Sequence, residues 1–470
     1  MKRRNGVIVA LLFLATCNQE TIDPSVPRQS STPSSLGPGR AALGKIPASE
    51  VAVWQRAGTD FVPDGRYLQA AAFDETRKVV VIFGGAAMSN STGTVVPNNE
   101  IWEWSPATGK WTNRTTKGEG PAARSGAAMV YDSARGKIVL FGGRAGSGLN
   151  YDDTWEWDPT TGAWLDLTAG GTYPSGRGQH GMVYEKSTGN ILLFGGGRAD
   201  PNSNDGTGVS LSLSDTWEYD PVNHVWTQSK ATGPSARHDS ALVWDGTRKK
   251  AVLFGGLQTD IQGAPGIPKQ DTWEWDPAAG TWTERTMTGS KPSQRYGHAS
   301  AFDGTRNKLM ILGGWDISTG YTLNDLWEWD PTTGAWTERL TGNENGMLSP
   351  RMYSSMVPYD AVGKLELVCG AMAYSYSGTG GTVAAGGSSG GTPVPLLDMT
   401  YGGIASSEVW EIDPATPAVT NRSASLNAPS PRYEQMMAFY PDTGKTYVFG
   451  GSEYNTGTLL NDLWEFDGKV

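Results

Sequence analysis

The chain has 470 residues, with 62 glycines and 19 tryptophans, and only 18% of its residues are charged. This composition favours a fold with many tight turns and packed aromatic side chains over a helix-rich fold. The formal net charge is −10, so the backbone of a nucleic acid would be repelled on average. We therefore expect an all-β protein with no nucleic-acid partner.

The N-terminal residues have the pattern of a targeting segment. A basic start at Lys2 is followed by an apolar stretch over residues 7–15, which is too short to span a bilayer. The residues Leu-Ala-Thr before Cys17 resemble the lipobox of bacterial lipoproteins. The resemblance implies a signal peptide over residues 1–16, a lipid on Cys17 and an outer-membrane lipoprotein of the bacterial cell envelope, facing either the periplasm or the outside. Ordinary secretion with cleavage is the alternative.

The residues that follow Cys17 predict a flexible tether. Residues 17–49 are rich in Ser, Pro and Gly and have no apolar periodicity. With Cys17 assigned to lipid, Cys369 is the remaining cysteine, and one thiol forms no internal disulfide. Cys369 has no cysteine neighbour and the chain has four histidines, so no metal site of the Cys and His type is predicted. We expect a core position for Cys369, and neither a metal nor a cofactor.

A repeat of roughly sixty residues runs through the rest of the chain. An arginine precedes an acidic turn, an apolar run ends in a pair of small residues, Trp-Glu is followed by an apolar residue, and an Asp-Pro type turn leads to a Trp. Alternation of aromatic and charged residues has the period of a β-strand. The pairs of small residues begin at Gly84, Gly142, Gly195, Gly255, Gly313, Gly370 and Gly450, and the Trp-Glu dipeptides begin at Trp102, Trp155, Trp217, Trp273, Trp327, Trp410 and Trp464.

Each repeat predicts four short antiparallel strands, and the set of landmarks resembles the kelch repeat. The resemblance covers nearly all of residues 51–470 and implies a seven-bladed β-propeller over residues 50–470, similar to the central domain of galactose oxidase. Stacked sheets bury tryptophans that one four-stranded sheet leaves exposed. The last repeat ends before its fourth strand, and residues 51–56 look like an unpaired fourth strand. We expect this N-terminal strand to close the ring.

The propeller topology places the variable loops at one end of the sheets. The connections between the second and third strands differ widely in length, whereas the turns at the opposite end are short and uniform. Variable loops on a rigid scaffold commonly carry recognition, so we expect the ligand on this face. The four longest connections run from Ala86 to Asn98, Gly197 to Ser214, Leu257 to Gln270 and Ala371 to Ser407.

An arginine opens the first strand of each repeat and an acid opens the third, at the same end of the sheet. One such pair per repeat is typical of a structural, bidentate ion pair. The alternative is a ring of guanidinium groups at the channel mouth that binds a ligand carboxylate or sulfate, as in some kelch propellers. The arginines are Arg66, Arg124, Arg177, Arg237, Arg295, Arg351 and Arg432, and the acids are Glu100, Asp153, Asp215, Asp271, Asp325, Glu408 and Asp462.

His180 and His298 occupy the fourth position of their arginine-led strands, and they complete the candidate ligand-binding set at the channel mouth. No His-Glu-x-x-His or nucleophile-elbow pattern occurs, so no catalytic residue is assigned. We expect a monomeric, membrane-tethered interaction module that recognises a protein or a glycan through the loop face.

Two other functions are alternatives to the interaction module. A carbohydrate-active enzyme similar to the sialic-acid mutarotase of this family would need His180, His298 and a carboxylate to converge on one pocket. A purely structural envelope protein is the third hypothesis. The sequence assigns no role to the long connection over residues 371–407.

Overall fold

The computed structural model of the chain describes most of residues 53–359 and shorter segments beyond them. The described residues are 53–56, 62–88, 95–105, 107–116, 118–168, 171–199, 210–259, 266–287, 289–341, 348, 350–359, 364–368, 371–373, 403–405, 409–413, 416, 418–421, 429–432, 435–440, 445–453 and 458–467. The predicted signal peptide, the tether, Cys17 and Cys369 lie outside them. The described part contains no helix with the length and hydrophobicity of a membrane span.

The described elements are all β-strands. In the first half of the chain they are β1 (Val53–Arg56), β2 (Arg66–Tyr67), β3 (Ala70–Asp74), β4 (Val79–Phe83), β5 (Ala86–Met88), β6 (Val95–Pro97), β7 (Ile101–Ser105), β8 (Lys110–Asn113), β9 (Ala128–Asp132), β10 (Lys137–Phe141), β11 (Thr154–Trp157), β12 (Trp164–Asp166), β13 (Gly181–Tyr184), β14 (Ile191–Phe194), β15 (Gly197–Ala199), β16 (Ser210–Ser212), β17 (Thr216–Asp220) and β18 (Val225–Gln228).

The second half continues the same arrangement. Its strands are β19 (Ala241–Asp245), β20 (Lys250–Phe254), β21 (Leu257–Gln258), β22 (Ile267–Pro268), β23 (Thr272–Asp276), β24 (Thr281–Glu284), β25 (Ala299–Asp303), β26 (Lys308–Asp316), β27 (Tyr321–Trp329), β28 (Trp336–Leu340), β29 (Ser355–Tyr359), β30 (Lys364–Val368), β31 (Ala371–Ala373), β32 (Gly403–Ala405), β33 (Val409–Asp413), β34 (Ala418–Asn421), β35 (Met436–Tyr440), β36 (Lys445–Phe449) and β37 (Leu463–Asp467).

Seven four-stranded antiparallel sheets account for most of these strands, one for each predicted repeat. Sheet 1 contains β3, β4, β7 and β8; sheet 2, β9 to β12; sheet 3, β13, β14, β17 and β18; sheet 4, β19, β20, β23 and β24; sheet 5, β25 to β28; sheet 6, β29, β30, β33 and β34; and sheet 7, β35, β36, β37 and β1. The all-β class and the antiparallel four-stranded unit are confirmed, and they are consistent with a kelch propeller.

The N-terminal strand pairs with the C-terminal end of the described chain, as its sequence predicts. β1 runs antiparallel to β37, with Val53 opposite Asp467 and Arg56 opposite Trp464. It is therefore the fourth strand of sheet 7. This pairing joins the two ends of the described chain in one sheet.

The core lies between neighbouring sheets. All five residues of β4 are buried, and they face two ways because successive side chains of a strand alternate. Val81 packs with Leu140 and Trp157 of sheet 2, whereas Val80 packs with Tyr447 of sheet 7. Burial of one large apolar side chain contributes about 1.5–3 kcal/mol to the free energy of unfolding. Each sheet is therefore stabilised by packing against both of its neighbours.

In the described residues, paired glycines link sheets 1 to 5 and sheet 7 to the sheet that follows through the backbone. The second glycine of a pair donates its N–H to the carbonyl of the arginine that opens the following sheet, as from Gly85 to Arg124 at 2.9 Å and from Gly451 to Arg66 at 3.0 Å. Gly84 has φ +64°, and a Cβ there would lie 2.5 Å from the Arg124 carbonyl oxygen. Glycine is needed at this position for both reasons.

The variable connections contain strands at their bases, which the sequence reading treated as loops. β5 pairs with β6, β15 with β16, β21 with β22 and β31 with β32. In sheet 5 the second and third strands extend directly into this region, with a register shift between Leu312 and Gly314. The loop face, defined as the end of the sheets that carries these connections, is therefore built from projecting β-hairpins.

Candidate functional site

The hairpins of the loop face expose large apolar side chains. Val96, Leu149, Ile267 and Tyr321 are between 39% and 70% exposed, and they lie on the connections of sheets 1, 2, 4 and 5. Neighbouring hairpins also touch. The N–H of Ser212 donates to the Thr259 carbonyl at 3.1 Å, which joins the connections of sheets 3 and 4. The loop face therefore combines apolar contact groups with backbone rigidity.

Beneath the hairpins, the seven predicted arginines are buried, and six of them pair with their predicted acids. Arg177 illustrates the arrangement, because its five N–H donors all have acceptors. Its Nε and one terminal nitrogen donate to the carbonyl and hydroxyl of Ser175, and the others reach the Gly195 carbonyl and both carboxylate oxygens of Asp215 at 2.6 and 2.7 Å. A guanidinium group whose five N–H donors all have acceptors has no donor left to bind a ligand.

Three other arginines repeat this saturated pattern: Arg237 with Asp271, Arg295 with Asp325, and Arg432 with Asp462. Arg124 binds Asp153 in the bidentate geometry, and Arg66 reaches Glu100 through one nitrogen. Arg351 is also fully buried, and its predicted partner Glu408 lies outside the described residues.

The acids of these pairs also hold the third strand. In sheet 4, Asp271 accepts a hydrogen bond from the indole N–H of Trp273 at 2.7 Å. Although burial alone would raise it, the hydrogen bond and charge of Arg237 lower the pKa of Asp271. This geometry matches the structural ion pair, which is one of the two alternatives that the sequence predicts for these residues. Direct contact between these arginines and a ligand stays a prediction.

His180 and His298 lie in sheets 3 and 5, away from each other. The ring nitrogens of both are buried and have no hydrogen-bond partner in the part of the chain that the structure describes. Burial, with the nearby arginine charge, lowers the pKa of each to about 3. Their rings pack edge-on against Phe141 and Phe254. Among the described residues, no carboxylate shares a hydrogen bond with either imidazole, so His180, His298 and a carboxylate do not converge there.

Residues just before the first strands of neighbouring sheets are linked to one another and have a strained backbone conformation. The sequence did not predict this conformation. The residue two positions after the arginine has a left-handed φ of 51–55° at four non-glycine sites, a conformation that costs about 1–3 kcal/mol each. The N–H of Gly126 donates to the Leu68 carbonyl at 2.9 Å, and that of Tyr353 donates to Gly297 at 2.7 Å. The four sites are Leu68, Gln179, Asp239 and Tyr353.

One of these residues forms a pair that the sequence did not predict. The Nδ1 atom of His238 lies 3.0 Å from a carboxylate oxygen of Asp239. His238 directly follows Arg237 in the sequence, but adjacency in the chain does not reveal a left-handed turn. Within the described ranges, no group of three or more His, Cys, Asp or Glu side chains could hold a metal ion.

The sequence profile of the KLHDC2/KLHL20/DRC7 Kelch-repeats domain matches residues 50–256 and 207–370 of the chain. The chain belongs to this kelch-repeat family. Membership agrees with the repeated sheets and with the glycine links between them.

Three curated relatives illustrate the similarity. The Rab9 effector protein with kelch motifs of Xenopus laevis is 31% identical over 225 residues, which cover 46% of this chain and 56% of the relative. Human Kelch domain-containing protein 1 is 25% identical over 314 residues, or 60% and 68% of the two chains. Mei4-dependent protein 6 of Schizosaccharomyces pombe is 28% identical over 219 residues, or 44% and 30%.

At the turn face, the end of the sheets opposite the loop face, this kelch-repeat chain has a second set of ion pairs. In sheet 2, Arg135 donates to Asp132 at 2.6 Å and to Glu156 at 2.5 Å. Sheets 1, 4 and 5 contain the same arrangement of an Asp, the Arg three residues later and the Glu of Trp-Glu. These pairs hold the first turn of each sheet against its third strand.

Sheet 3 lacks the turn-face arginine. Glu185 stands where sheets 1, 2, 4 and 5 have Asp, and Thr188 stands where they have Arg. The carboxyl group of Glu185 is fully buried and accepts hydrogen bonds from the indole of Trp275 at 2.9 Å and the hydroxyl of Thr188 at 2.8 Å. Burial, with the nearby charge of Glu218, raises the pKa of Glu185 to about 7.

We expect Glu185→Gln to stabilise the protein at pH 8 and not at pH 4. The folded-state pKa of about 7 lies above the ordinary value of 4.5. Stability is therefore complete below pH 4.5 and is lost as the pH rises through 7, because the unfolded chain ionises first. Glutamine mimics the protonated acid, so the free energy of unfolding at pH 8 should rise by about 1–3 kcal/mol. Urea unfolding at both pH values measures the difference.

The control is Glu328→Gln in sheet 5. Despite burial, hydrogen bonds from Arg339 and Arg306 lower the pKa of Glu328, so its replacement should destabilise the protein at pH 8. If Glu185→Gln also destabilised the protein at pH 8, the raised pKa of Glu185 would be excluded.

Proposed function

We propose that the chain is a closed seven-bladed propeller that binds a protein partner through the loop face. The number of four-stranded sheets and the pairing of β1 with β37 support the closed ring. Hydrogen bonds from Gly451 to Arg66 support contact between sheets 7 and 1. The observation that carries the function is the set of exposed apolar side chains on hairpins held above saturated Arg–Asp pairs.

The chemistry of the loop face favours a protein partner over a small ion. Six of the seven arginines that could bind an anion already pair with an acid, whereas apolar and aromatic groups are exposed, and such groups dominate binding energy in protein interfaces. The Xenopus relative is named as an effector protein, which supports the same class of partner. The proposed module is monomeric and is tethered to a bacterial outer membrane by lipid on Cys17, which mass spectrometry of the membrane-extracted chain would detect.

A test of the loop face uses three apolar side chains and one matched control. The full chain is applied in parallel to a protein array and a glycan array, together with the variant Leu149→Asp/Ile267→Asp/Tyr321→Asp. Val222→Asp is the control, because Val222 is 69% exposed in a turn between the third and fourth strands of sheet 3, on the turn face. We expect saturable binding to protein spots that the triple variant weakens by at least about tenfold and that the control retains.

Each other outcome contradicts part of the proposal. Equal binding by the triple variant would move the contact surface away from the loop face. Binding to glycans alone would replace the protein partner with a carbohydrate. Turnover of a bound sugar would favour the mutarotase type of activity, for which His180 and His298 have no carboxylate hydrogen-bonded to them among the described residues.

A further inference from the structure

The connections between successive sheets differ at one position in a way that opens a pocket. Four residues before the buried arginine, the connection into sheet 2 has Gly120 and the connection into sheet 4 has Gly233. Each glycine packs closely against the tryptophan in the fourth strand of the sheet that follows. A Cβ on Gly120 would lie 2.5 Å from Trp164, and one on Gly233 would lie 2.7 Å from Trp282.

The connection into sheet 3 has Tyr173 at this position. A side chain at this site cannot adopt the close packing of the two glycines, because a Cβ would overlap the tryptophan. A pocket of about 300 Å³ is present there, between the outer parts of sheets 2 and 3, and Tyr173 and Trp226 both line it. The pocket is thus present where tyrosine stands in place of glycine.

The pocket has both apolar and polar walls, and one of its aromatic rings is held in place. Leu167, Tyr173, Val225 and Trp226 form the apolar surface, and Tyr173 and Val225 are 39% and 50% exposed. The indole N–H of Trp226 donates to the hydroxyl of Thr154 at 2.8 Å, so the ring is held in place. This volume lies at the lower end of the range of ligand pockets, which combine apolar walls with a few polar groups.

The pocket also has one carboxylate that the protein leaves unused. Asp152 lines it and is exposed, and its side chain makes no hydrogen bond or ion pair within the described parts of the chain. The adjacent Asp153 is paired with Arg124. An aromatic wall beside a free carboxylate is complementary to a cation, because the ring face attracts positive charge and the carboxylate accepts its hydrogen bonds. The net charge of −10 also favours a positively charged ligand.

We propose that this pocket binds the arginine side chain of a partner protein. The aliphatic stem packs on Leu167 and Val225, the planar guanidinium group stacks on Tyr173, and its N–H groups donate to Asp152. Arginine suits the site better than lysine because its flat, delocalised cation stacks on aromatic rings and binds a carboxylate through two hydrogen bonds. The site lies at the outer edge of the sheets and does not depend on the proposed function of the loop face.

The test follows the methyl groups of Leu167 and Val225 by NMR in the full chain labelled at Leu and Val methyls. The probe is an end-capped peptide with one arginine between Gly and Ser residues, and the control peptide has uncharged citrulline in its place. We expect saturable shifts at both methyl groups with the arginine peptide, and binding about five- to tenfold weaker with citrulline.

Three variants identify the groups responsible. Asp152→Asn should weaken binding to the level of the citrulline peptide, and Glu119→Gln, which removes an exposed charge outside the pocket, should leave it unchanged. Tyr173→Gly should abolish the shifts by restoring the glycine of the neighbouring connections, and circular dichroism checks that it folds. Equal binding of both peptides, an effect of Glu119→Gln as large as that of Asp152→Asn, or tighter binding of free arginine than of the peptide would each overturn the proposal.

Discussion

Asp271→Ala is expected to lower the free energy of unfolding by about 3–5 kcal/mol, the usual cost of leaving a buried charge without its partner. Arg237 is fully buried, and the side chain of Asp271 is 24% exposed. Asp271 accepts two hydrogen bonds from Arg237 and one from Trp273, and all are lost together. Because the pKa of Asp271 is lowered, the stabilisation is present above about pH 4 and is lost as the pH falls further. Urea unfolding at pH 7 measures the effect.

An exposed ion pair is the matched control for this prediction. Glu75 binds Lys186 at 2.6 Å, but both side chains are about half exposed, so Glu75→Ala should cost less than about 1 kcal/mol. Replacing both members of the buried pair, as Arg237→Met with Asp271→Leu, should cost less than Asp271→Ala alone because no uncompensated charge remains. A loss below 1 kcal/mol for Asp271→Ala would mean that the pair contributes little to stability.

Deletion of residues 50–58 is expected to destabilise the whole domain. It removes β1, which pairs with β37 at four residue positions, and leaves β37 as an unpaired edge. Loss of the closing strand should lower the free energy of unfolding by about 2–5 kcal/mol. Thermal unfolding followed by circular dichroism should show a lower Tm for one cooperative transition, because each sheet packs on both of its neighbours.

The control deletion removes residues 20–40 from the predicted tether and should leave Tm unchanged. If the 50–58 deletion unfolded at the temperature of the full chain, closure of the ring by the N-terminal strand would be refuted. If only a separate, low-temperature transition appeared, sheet 7 would unfold independently of the others.

Much of the architecture could be predicted because it is encoded in local patterns. Alternating residues around Trp102 and its six counterparts predict strands, since successive side chains of a strand face opposite ways. Glycine pairs mark the end of the second strand in sheets 1 to 4 and 7, and the missing fourth strand of the last repeat predicts the role of Val53–Arg56. The sequence also predicts the pairing of each arginine with an acid, as one of two interpretations of the same residues.

Other features could not be predicted because they depend on distances between segments remote in sequence. A sequence shows that Arg177 and Asp215 recur in register, but it does not show that Ser175 and Gly195 use the remaining donors. It likewise does not show that the connection from Ala86 to Asn98 is a hairpin, or that His180 has no hydrogen-bond partner among the described residues. Each of these outcomes depends on which groups meet after the sheets have packed.

The sequence by itself determined the repeat, the strand order within each sheet and the residue types available at each end of the sheets, because strand period and turn chemistry act over a few residues. The tertiary structure alone decided which charges are neutralised and which remain available. It buries Arg237 against Asp271, leaves Glu185 without an arginine and opens a pocket between Tyr173 and Trp226. Solvation and hydrogen bonding depend on the full three-dimensional surroundings of a group, and no local pattern contains that information.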